Sequence, residues 1–162
     1  MDPISDIVWK KKYKINNWNV TGYSIAGLKT SFYISDLNIL LDAGFQNFNK
    51  PEHIFITHLH ADHIGNLHLT ILENINSNVC TKIICPVESV LHLKNFINSF
   101  LSCNYHYSMN VSKFYTIHGM KSNEKIELFL NKKKFIIEAI KSDHIIPTLS
   151  YGFNFVSNKL KE

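Results

Sequence analysis

The sequence predicts an α/β (α+β) fold in which helices cover one face of a mixed sheet. Strand signals fill the first third of the 162 residues, two strand–helix pairs follow, and strand signals return in the last third. A chain with strands at both ends and alternating strands and helices between them fits a layered architecture of sheets and helices.

The first third is predicted to form an antiparallel meander of three strands. Residues 19–25 and 30–34 are rich in β-branched and aromatic side chains, and Gly27 between them suits a turn. Residues 37–41 continue the meander, which is expected to end at Asp42.

The middle of the chain is predicted to hold two buried strands, each followed by a helix. Residues 54–57 and 82–85 are short, continuous apolar runs, which are typical of strands buried on both faces. Apolar spacing favours a helix over residues 64–74. A second helix is expected to begin at Pro86, because proline suits the first helical position. A loop is expected over 101–112, and strands over 114–117, 126–130, 135–140 and 149–156.

Composition and charge indicate one intracellular domain spanning residues 1–162. All 17 positive charges are lysines and the net charge is +4, which favours an anionic partner, although a solvated lysine-rich surface explains it as well. The run Lys10–Lys14 leaves the same two interpretations open. Three cysteines form no paired framework and suit reduced thiols. Without a signal pattern or a membrane-spanning apolar run, we expect a cytoplasmic or other intracellular protein that is neither secreted nor membrane-bound.

The most informative motif follows the predicted buried strand 54–57. His58, His60, Asp62 and His63 place three imidazoles and a carboxylate within six positions. In an extended segment, residues two apart point the same way, so His58 and His60 can reach one ion. Asp62 and His63 follow at the turn into a helix, where their diverging side chains suit a second ion. Neutral imidazoles and a carboxylate suit zinc, with manganese or iron as alternatives.

A third ligand for the first ion is expected from the far end of the chain. A hydrolytic zinc site usually has three protein ligands and one open position. His144 is the candidate, because it lies just after the predicted strand 135–140. His68 is a weaker candidate that could face the site from the first helix, whereas His92 is expected to be structural.

These motifs resemble the ribonuclease Z family of the metallo-β-lactamase superfamily, whose members are transfer-RNA 3′-processing endonucleases. The superfamily motif His-x-His-x-Asp-His is present at residues 58–63. The flanking segments 22–34, 37–44 and 143–151 resemble ribonuclease Z, so the likeness runs from about residue 20 to the end.

The resemblance implies a metallo-β-lactamase-like αββα sandwich and assigns roles to the motif residues. His58, His60 and His144 would hold one zinc ion. Asp62 and His63 would contribute to a second, and Asp62 is also a candidate general base. Asp42 would steady the histidine loop, although an ordinary turn residue is an equal alternative. The implied activity is endonucleolytic removal of the 3′ trailer from precursor transfer RNA, with zinc, or alternatively manganese, as cofactor.

The resemblance is to the N-terminal half of the family fold plus part of the second sheet. The family's bridging aspartate, its final histidine and its flexible arm for transfer RNA have no counterpart in residues 1–162, so the second site has two protein ligands. A homodimer or a complementary chain could supply the remainder. Two alternatives stay open: another metallo-β-lactamase-fold hydrolase, acting on a small ester or a cyclic phosphodiester, and a non-catalytic half domain that binds metal or a partner.

Overall fold

A computed structural model describes residues 12–105 and 111–156 of the chain. Two sheets account for all the strands in these ranges, and their order along the chain gives the β, βα, βα, β succession that the sequence predicts.

The larger sheet has seven strands in sequence order. It begins with four antiparallel strands and continues with parallel pairing from the fourth to the seventh. The strands are β1 (Lys12–Ile15), β2 (Trp18–Ile25), β3 (Lys29–Ile34), β4 (Ile39–Leu41), β5 (His53–Phe55), β6 (Thr81–Pro86) and β7 (Tyr115–Met120). All of β1 is exposed, so Lys12 and Lys14 of the lysine run lie on a solvated edge strand.

The two long helices pack on one face of this sheet. The helices are α1 (Ala61–Ile64), α2 (Leu67–Asn76) and α3 (Val90–Asn104), with 3₁₀ turns at Val87–Ser89 and Val111–Phe114. Leu67 and Ile71 of α2 and Leu93 and Ile97 of α3 are fully buried in one cluster that also contains Ile54 of β5. The prediction of helices on one face of a mixed sheet is therefore confirmed.

Helix boundaries differ from the prediction in three places. The helix expected over 64–74 is divided at Gly65 into α1 and α2. Pro86 ends β6, pairing with Met120, and does not begin a helix. The helix α3 runs to Asn104, into the segment expected to be a loop, because Leu101 continues its buried stripe.

A smaller antiparallel sheet covers the other face of the large sheet. Its strands are β8 (Lys125–Leu130), β9 (Lys133–Lys141) and β10 (Leu149–Phe155), in the order β10-β9-β8. Phe135, Ile137 and Ala139 alternate along β9 and share a buried cluster with Phe55 and Ile84 of the large sheet. Strands β5 and β6 thus present apolar side chains on both faces, as buried parallel strands do.

The outer face of the small sheet carries charged residues together with the exposed apolar side chains of Phe129 and Ile140. Ion pairs join Lys125 to Glu138 (3.2 Å) and Lys134 to Glu127 (2.9 Å) across its strands. Within residues 12–105 and 111–156 no helix lies on this face, and none is long and apolar enough to cross a membrane.

Candidate metal centre

The histidine loop leaves the carboxyl end of β5, between parallel neighbours on both sides. Its backbone is extended at His60 (φ −64°, ψ 148°), the residue before α1. This places the loop at the edge of the sheet where the carboxyl ends of β4, β5 and β6 meet. Side chains that follow such strands converge at a common edge, which is where α/β folds commonly bind ligands.

Three imidazoles converge at this edge. Nδ1 of His60 lies 3.1 Å from Nε2 of His58 and 3.1 Å from Nε2 of His144. One ring nitrogen from each of the three falls within 4.8 Å of the others. His144 reaches the cluster from the loop between β9 and β10, so the small sheet supplies one of the three histidines.

The spacing of these nitrogens fits a zinc ion. Zinc–nitrogen bonds of about 2.0–2.1 Å in tetrahedral geometry separate the ligand nitrogens by about 3.3 Å. The two observed nitrogen–nitrogen distances of 3.1 Å come within a few tenths of an ångström of that value. The cluster therefore has the donor type of a three-histidine zinc site, and the two nitrogen pairs that include His60 have its spacing.

The surroundings of His58 favour its neutral imidazole. It is buried, and its Nδ1 lies 2.9 Å from Oγ1 of Thr57, which leaves Nε2 facing the cluster. Burial, with the neighbouring imidazoles of His63, His60 and His144, lowers the pKa of His58 to about 4, against the opposing charge of Asp42. Its imidazole consequently stays neutral at physiological pH, the form that binds a metal.

Asp42 anchors His63 and the start of the histidine loop. Its Oδ2 lies 2.8 Å from Nδ1 of His63, and its Oδ1 accepts a hydrogen bond of 2.8 Å from the backbone N–H of Thr57. The hydroxyl of Thr57 lies 3.0–3.1 Å from both carboxylate oxygens. Burial disfavours the charged form of His63, but the hydrogen bond to Asp42 and the charges of Asp42 and Asp62 raise its pKa overall.

Asp62 and His63 lie together at the start of α1. Nε2 of His63 is 3.5 Å from Oδ2 of Asp62, a separation that one ion could bridge. The backbone N–H of Gly27, in the turn between β2 and β3, donates to the same carboxylate oxygen at 3.2 Å. His58 and His63 are close as well, with ring centroids 4.0 Å apart, so the two pairs of predicted ligands are adjacent.

The turn that bears Asp62 sits directly on the segment after β4. The N–H of Ala43 donates to the carbonyl of His63 (2.6 Å), and the N–H of Asn66 donates to the carbonyl of Ala43 (2.9 Å). A Cβ atom at Gly44 would lie 1.9 Å from the carbonyl oxygen of Asp62. A residue with no side chain is therefore required at position 44.

His68 lies apart from the cluster. Its ring stacks on Phe100 of α3 at 4.0 Å and meets Phe96 edge-on at 6.1 Å. This aromatic packing between α2 and α3 occupies the side chain, so His68 does not join the histidines that the structure brings together.

An apolar groove of about 700 Å³ opens beside His60. Its apolar walls come from the histidine loop and α1 on one side and from the loop after β9 on the other; they include Leu59, Ile64, Ile146 and Pro147. Glu88 and His92 add polar groups from the 3₁₀ turn and α3. From the sequence, His92 was expected to be structural and Glu88 was not singled out. Their spacing of four positions, with Glu88 in the 3₁₀ turn and His92 in α3, was the available signal.

Two curated relatives are named as ribonuclease Z or tRNase Z. The chain is 26% identical over 156 residues to "Nuclear ribonuclease Z" of Triticum aestivum, covering 94% of this chain and 84% of that protein. It is also 26% identical over 156 residues to "tRNase Z TRZ1" of Arabidopsis thaliana, of which it spans 53%. The resemblance to ribonuclease Z is thereby confirmed.

Solved structures with a similar fold include a metallo-β-lactamase fold protein and a tRNase Z. The metallo-β-lactamase fold protein YhfI of Bacillus subtilis matches 82% of this chain with a TM-score of 0.56 and 13% identity, over 53% of its own length. The short form of human tRNase Z matches 90% of the chain with a TM-score of 0.51 and 18% identity, over 60% of its length. These likenesses show the metallo-β-lactamase fold.

A family model matches most of the chain. It is described as "Anti-Pycsar protein Apyc1" and covers residues 34–161, a stretch that includes the histidine loop and His144. The sequence motifs predict the fold and the ribonuclease Z likeness, but they do not indicate this family. With its metallo-β-lactamase fold, the chain belongs to the family of the anti-Pycsar protein Apyc1.

Proposed function

We propose that this chain is a metal-dependent phosphodiesterase of the ribonuclease Z type, which removes the 3′ trailer from precursor transfer RNA. The observation that carries the proposal is the convergence of His58, His60 and His144 from two sheets at distances that fit a single ion. The similarity to two plant proteins named as ribonuclease Z or tRNase Z supports the choice of substrate.

Zinc is the metal proposed for this centre, with manganese as the alternative. His58, His60 and His144 would hold the first ion, and Asp62 and His63 would contribute to a second. When bound, such an ion acts as a Lewis acid on a phosphoryl oxygen and lowers the pKa of water. The buried Asp42 would keep Nε2 of His63 turned toward Asp62 by holding its Nδ1.

Asp62 is proposed as the general base. Its carboxylate is oriented by the N–H of Gly27, which donates to Oδ2 at 3.2 Å. Asp62 lies at the same edge of the sheet as the histidine cluster, where the reacting group of the substrate would bind. A carboxylate in hydrogen-bonding reach of an attacking water can accept its proton.

The groove beside His60 is the proposed seat for the part of the substrate that flanks the phosphate. Its volume of about 700 Å³ lies in the range of pockets that bind small molecules or nucleotides, roughly 300–1,000 Å³. Its apolar walls suit an unstacked base better than a phosphate chain. The net charge of +4, carried by lysines, would attract the polyanion at longer range.

The test combines metal content with cleavage of a labelled precursor transfer RNA. Purified wild-type protein is compared with His60→Ala and with His118→Ala, a matched control at an exposed histidine on β7. We expect bound zinc and cleavage 3′ of the acceptor stem for wild type and His118→Ala, and loss of both for His60→Ala. Bound metal without cleavage of any precursor would reject the proposed substrate for this chain.

A second candidate is hydrolysis of a small phosphodiester, including a cyclic one. The observation that favours it is the match to a family described as an anti-Pycsar protein, a description that does not name transfer RNA. A chromogenic bis-aryl phosphate and a set of cyclic nucleotides distinguish the two. Turnover of these with no preference for precursor transfer RNA would favour the second candidate.

A non-catalytic role is the remaining outcome of the same assays. Metal at about one ion per chain with no turnover of any phosphodiester would indicate a domain that binds metal or a partner. Mass measurement in solution would then show whether a homodimer forms.

A further inference from the structure

The candidate metal centre has to be assembled from two sheets that share a mainly apolar interface. His58 and His60 follow β5 of the large sheet, whereas His144 precedes β10 of the small sheet. Apolar packing is not directional, so it fixes the relative position of two sheets less sharply than hydrogen bonds do. A site that needs its donors placed within about 0.5 Å requires additional support.

We propose that Tyr151 is a positioning residue for this centre, holding the strand that follows the His144 loop against the backbone that leads into the histidine loop. Its hydroxyl donates a hydrogen bond of 2.8 Å to the carbonyl oxygen of Ile56, two residues before His58. The inference rests on the proposed metal site and adds a residue that the motif analysis did not single out as functional.

The surroundings of Tyr151 make this hydrogen bond specific and persistent. Its ring meets Phe55 edge-on, with centroids 5.2 Å apart, so the side chain is held between the sheets. Burial, followed by the nearby Cys85 and Asp42, raises the pKa of Tyr151 far above its usual range, so the hydroxyl remains protonated. Separating this part-buried donor from its acceptor would leave both without a partner, which resists sliding of the strands at this point.

A second hydrogen bond, next to the one made by Tyr151, links the loop that bears His144 to the histidine loop. The N–H of Leu149 donates to the carbonyl of Thr57 at 3.0 Å. The loop between β9 and β10 is closed at its base by Ser142, whose N–H donates to Thr148 (3.3 Å) and whose hydroxyl lies 2.7 Å from that of Ser150. The loop that bears His144 is therefore tied to β5 at the point where the histidine loop begins.

Another polar contact between the sheets lies far from the centre. Nδ2 of Asn131, in the turn between β8 and β9, donates to the carbonyl of Asp36 at 3.0 Å. This turn is at the opposite end of β9 from the His144 loop, so it cannot set the position of His144 by itself. Tyr151 and Leu149 supply the directional contacts at the end where the histidines meet.

The test is Tyr151→Phe, which keeps the ring and its contact with Phe55 and removes the hydroxyl. Tyr33→Phe is the matched control, since its hydroxyl donates to Oδ1 of Asn38 (2.9 Å), away from the centre. Zinc affinity is measured by competition with a chromophoric chelator, and the ligand geometry by the visible spectrum of the cobalt-substituted protein. Substitution of a residue that orients a metal ligand typically weakens metal affinity by about 10–100-fold.

We expect about tenfold weaker zinc binding and an altered cobalt spectrum for Tyr151→Phe, with neither change for Tyr33→Phe. Incorporation of 4-aminophenylalanine at position 151 restores a donor and should restore both readouts. Equal zinc affinities and spectra for Tyr151→Phe and wild type would overturn the inference. Circular dichroism confirms that each variant is folded.

A further measurement separates this inference from the proposed function. In the metal-free protein, NMR contacts between the rings of His60 and His144, which lie 4.8 Å apart, should be present in wild type and lost in Tyr151→Phe. If wild type binds no zinc, the proposed metal site is wrong, and these ring contacts alone decide whether Tyr151 positions the loop. Unchanged ring contacts in Tyr151→Phe would then reject it.

Discussion

Oδ2 of Asp42 lies 2.8 Å from Nδ1 of His63, a residue 21 positions later in the chain. The same carboxylate accepts the backbone N–H and the hydroxyl of Thr57. Asp42 thus fixes two points of the histidine loop, one before His58 and one after Asp62. Although burial disfavours the charged form of His63, the hydrogen bond to Asp42 and the charges of Asp42 and Asp62 raise its pKa and favour its protonated form in the absence of metal.

Asp42→Asn should destabilise the protein and lower the pKa of His63. The amide cannot match every donor that faces the carboxylate, so we expect the free energy of unfolding to fall by about 1–3 kcal/mol. Urea denaturation measures the stability, and NMR titration of the metal-free protein measures the pKa. Asp36→Asn is the control, because Asp36 accepts its hydrogen bonds from Asn19 at the surface and away from His63. An unchanged pKa of His63 in Asp42→Asn would contradict the assigned contact.

Gly44→Ala should displace the turn that bears Asp62. The added Cβ would lie 1.9 Å from the carbonyl oxygen of Asp62 and 2.6 Å from the backbone nitrogen of Thr30. Both are backbone atoms that cannot rotate aside, so we expect a loss of more than about 2 kcal/mol in the free energy of unfolding. Gly152→Ala is the matched control, since its nearest contacts are ordinary ones at 3.8 Å. Equal stabilities for the two variants would refute this account of position 44.

The pKa values of the neighbouring His58 and His63 should be shifted in opposite directions from the ordinary value of 6.5. In the metal-free protein, His58 should lose its neutral form only near pH 4, whereas His63 should remain protonated above pH 6.5. The stabilising contribution of His58 is therefore complete above pH 6.5 and is lost as the pH falls toward 4. The contribution of His63 is complete below pH 6.5 and is lost as the pH rises through its raised pKa. Long-range ¹H–¹⁵N NMR measures both; two midpoints near 6.5 would disprove the assigned environments.

Zinc should raise the melting temperature, and His144 should be needed for this effect. A ligand that binds the folded state alone stabilises it by about 2.7 kcal/mol at a concentration 100 times its dissociation constant. His144→Ala removes the donor that the small sheet supplies, so we expect the zinc-induced shift to be largely lost. His118→Ala should retain it. A full zinc shift in His144→Ala, measured by differential scanning calorimetry, would show that the ion binds elsewhere.

The strands were predictable because their side-chain alternation is local. Ile54 faces the helices and Phe55 faces the small sheet, so a strand buried on both faces has a continuous apolar run in its sequence. The helix after β5 was predicted as one element, although the structure divides it. The carbonyl of His63 and the N–H of Asn66 both bond to Ala43, a partner from a distant part of the chain. These hydrogen bonds join backbone groups that are far apart in the sequence, so no local pattern predicts where the helix is divided.

The candidate site was predictable where the spacing of residues along the chain determines which side chains point the same way. His58 and His60 are two apart in an extended segment, and the structure brings them together with His144; their role as ligands stays a prediction. The anchoring of His63 by Asp42 and the groove beside His60 depend on how loops from different strands meet. Contacts of that kind follow from tertiary packing, so the sequence named the residues without giving their arrangement.

The division of the three imidazoles between two sheets has a thermodynamic consequence. An ion that binds all three is also a bridge between layers, so its binding energy adds to the energy that holds the layers together. Chelation and sheet separation are then linked equilibria. The zinc affinity of the protein would therefore depend on how readily the small sheet separates from the large one. A substitution that loosens the interface between the sheets should weaken zinc binding even when the substituted residue lies far from the histidines.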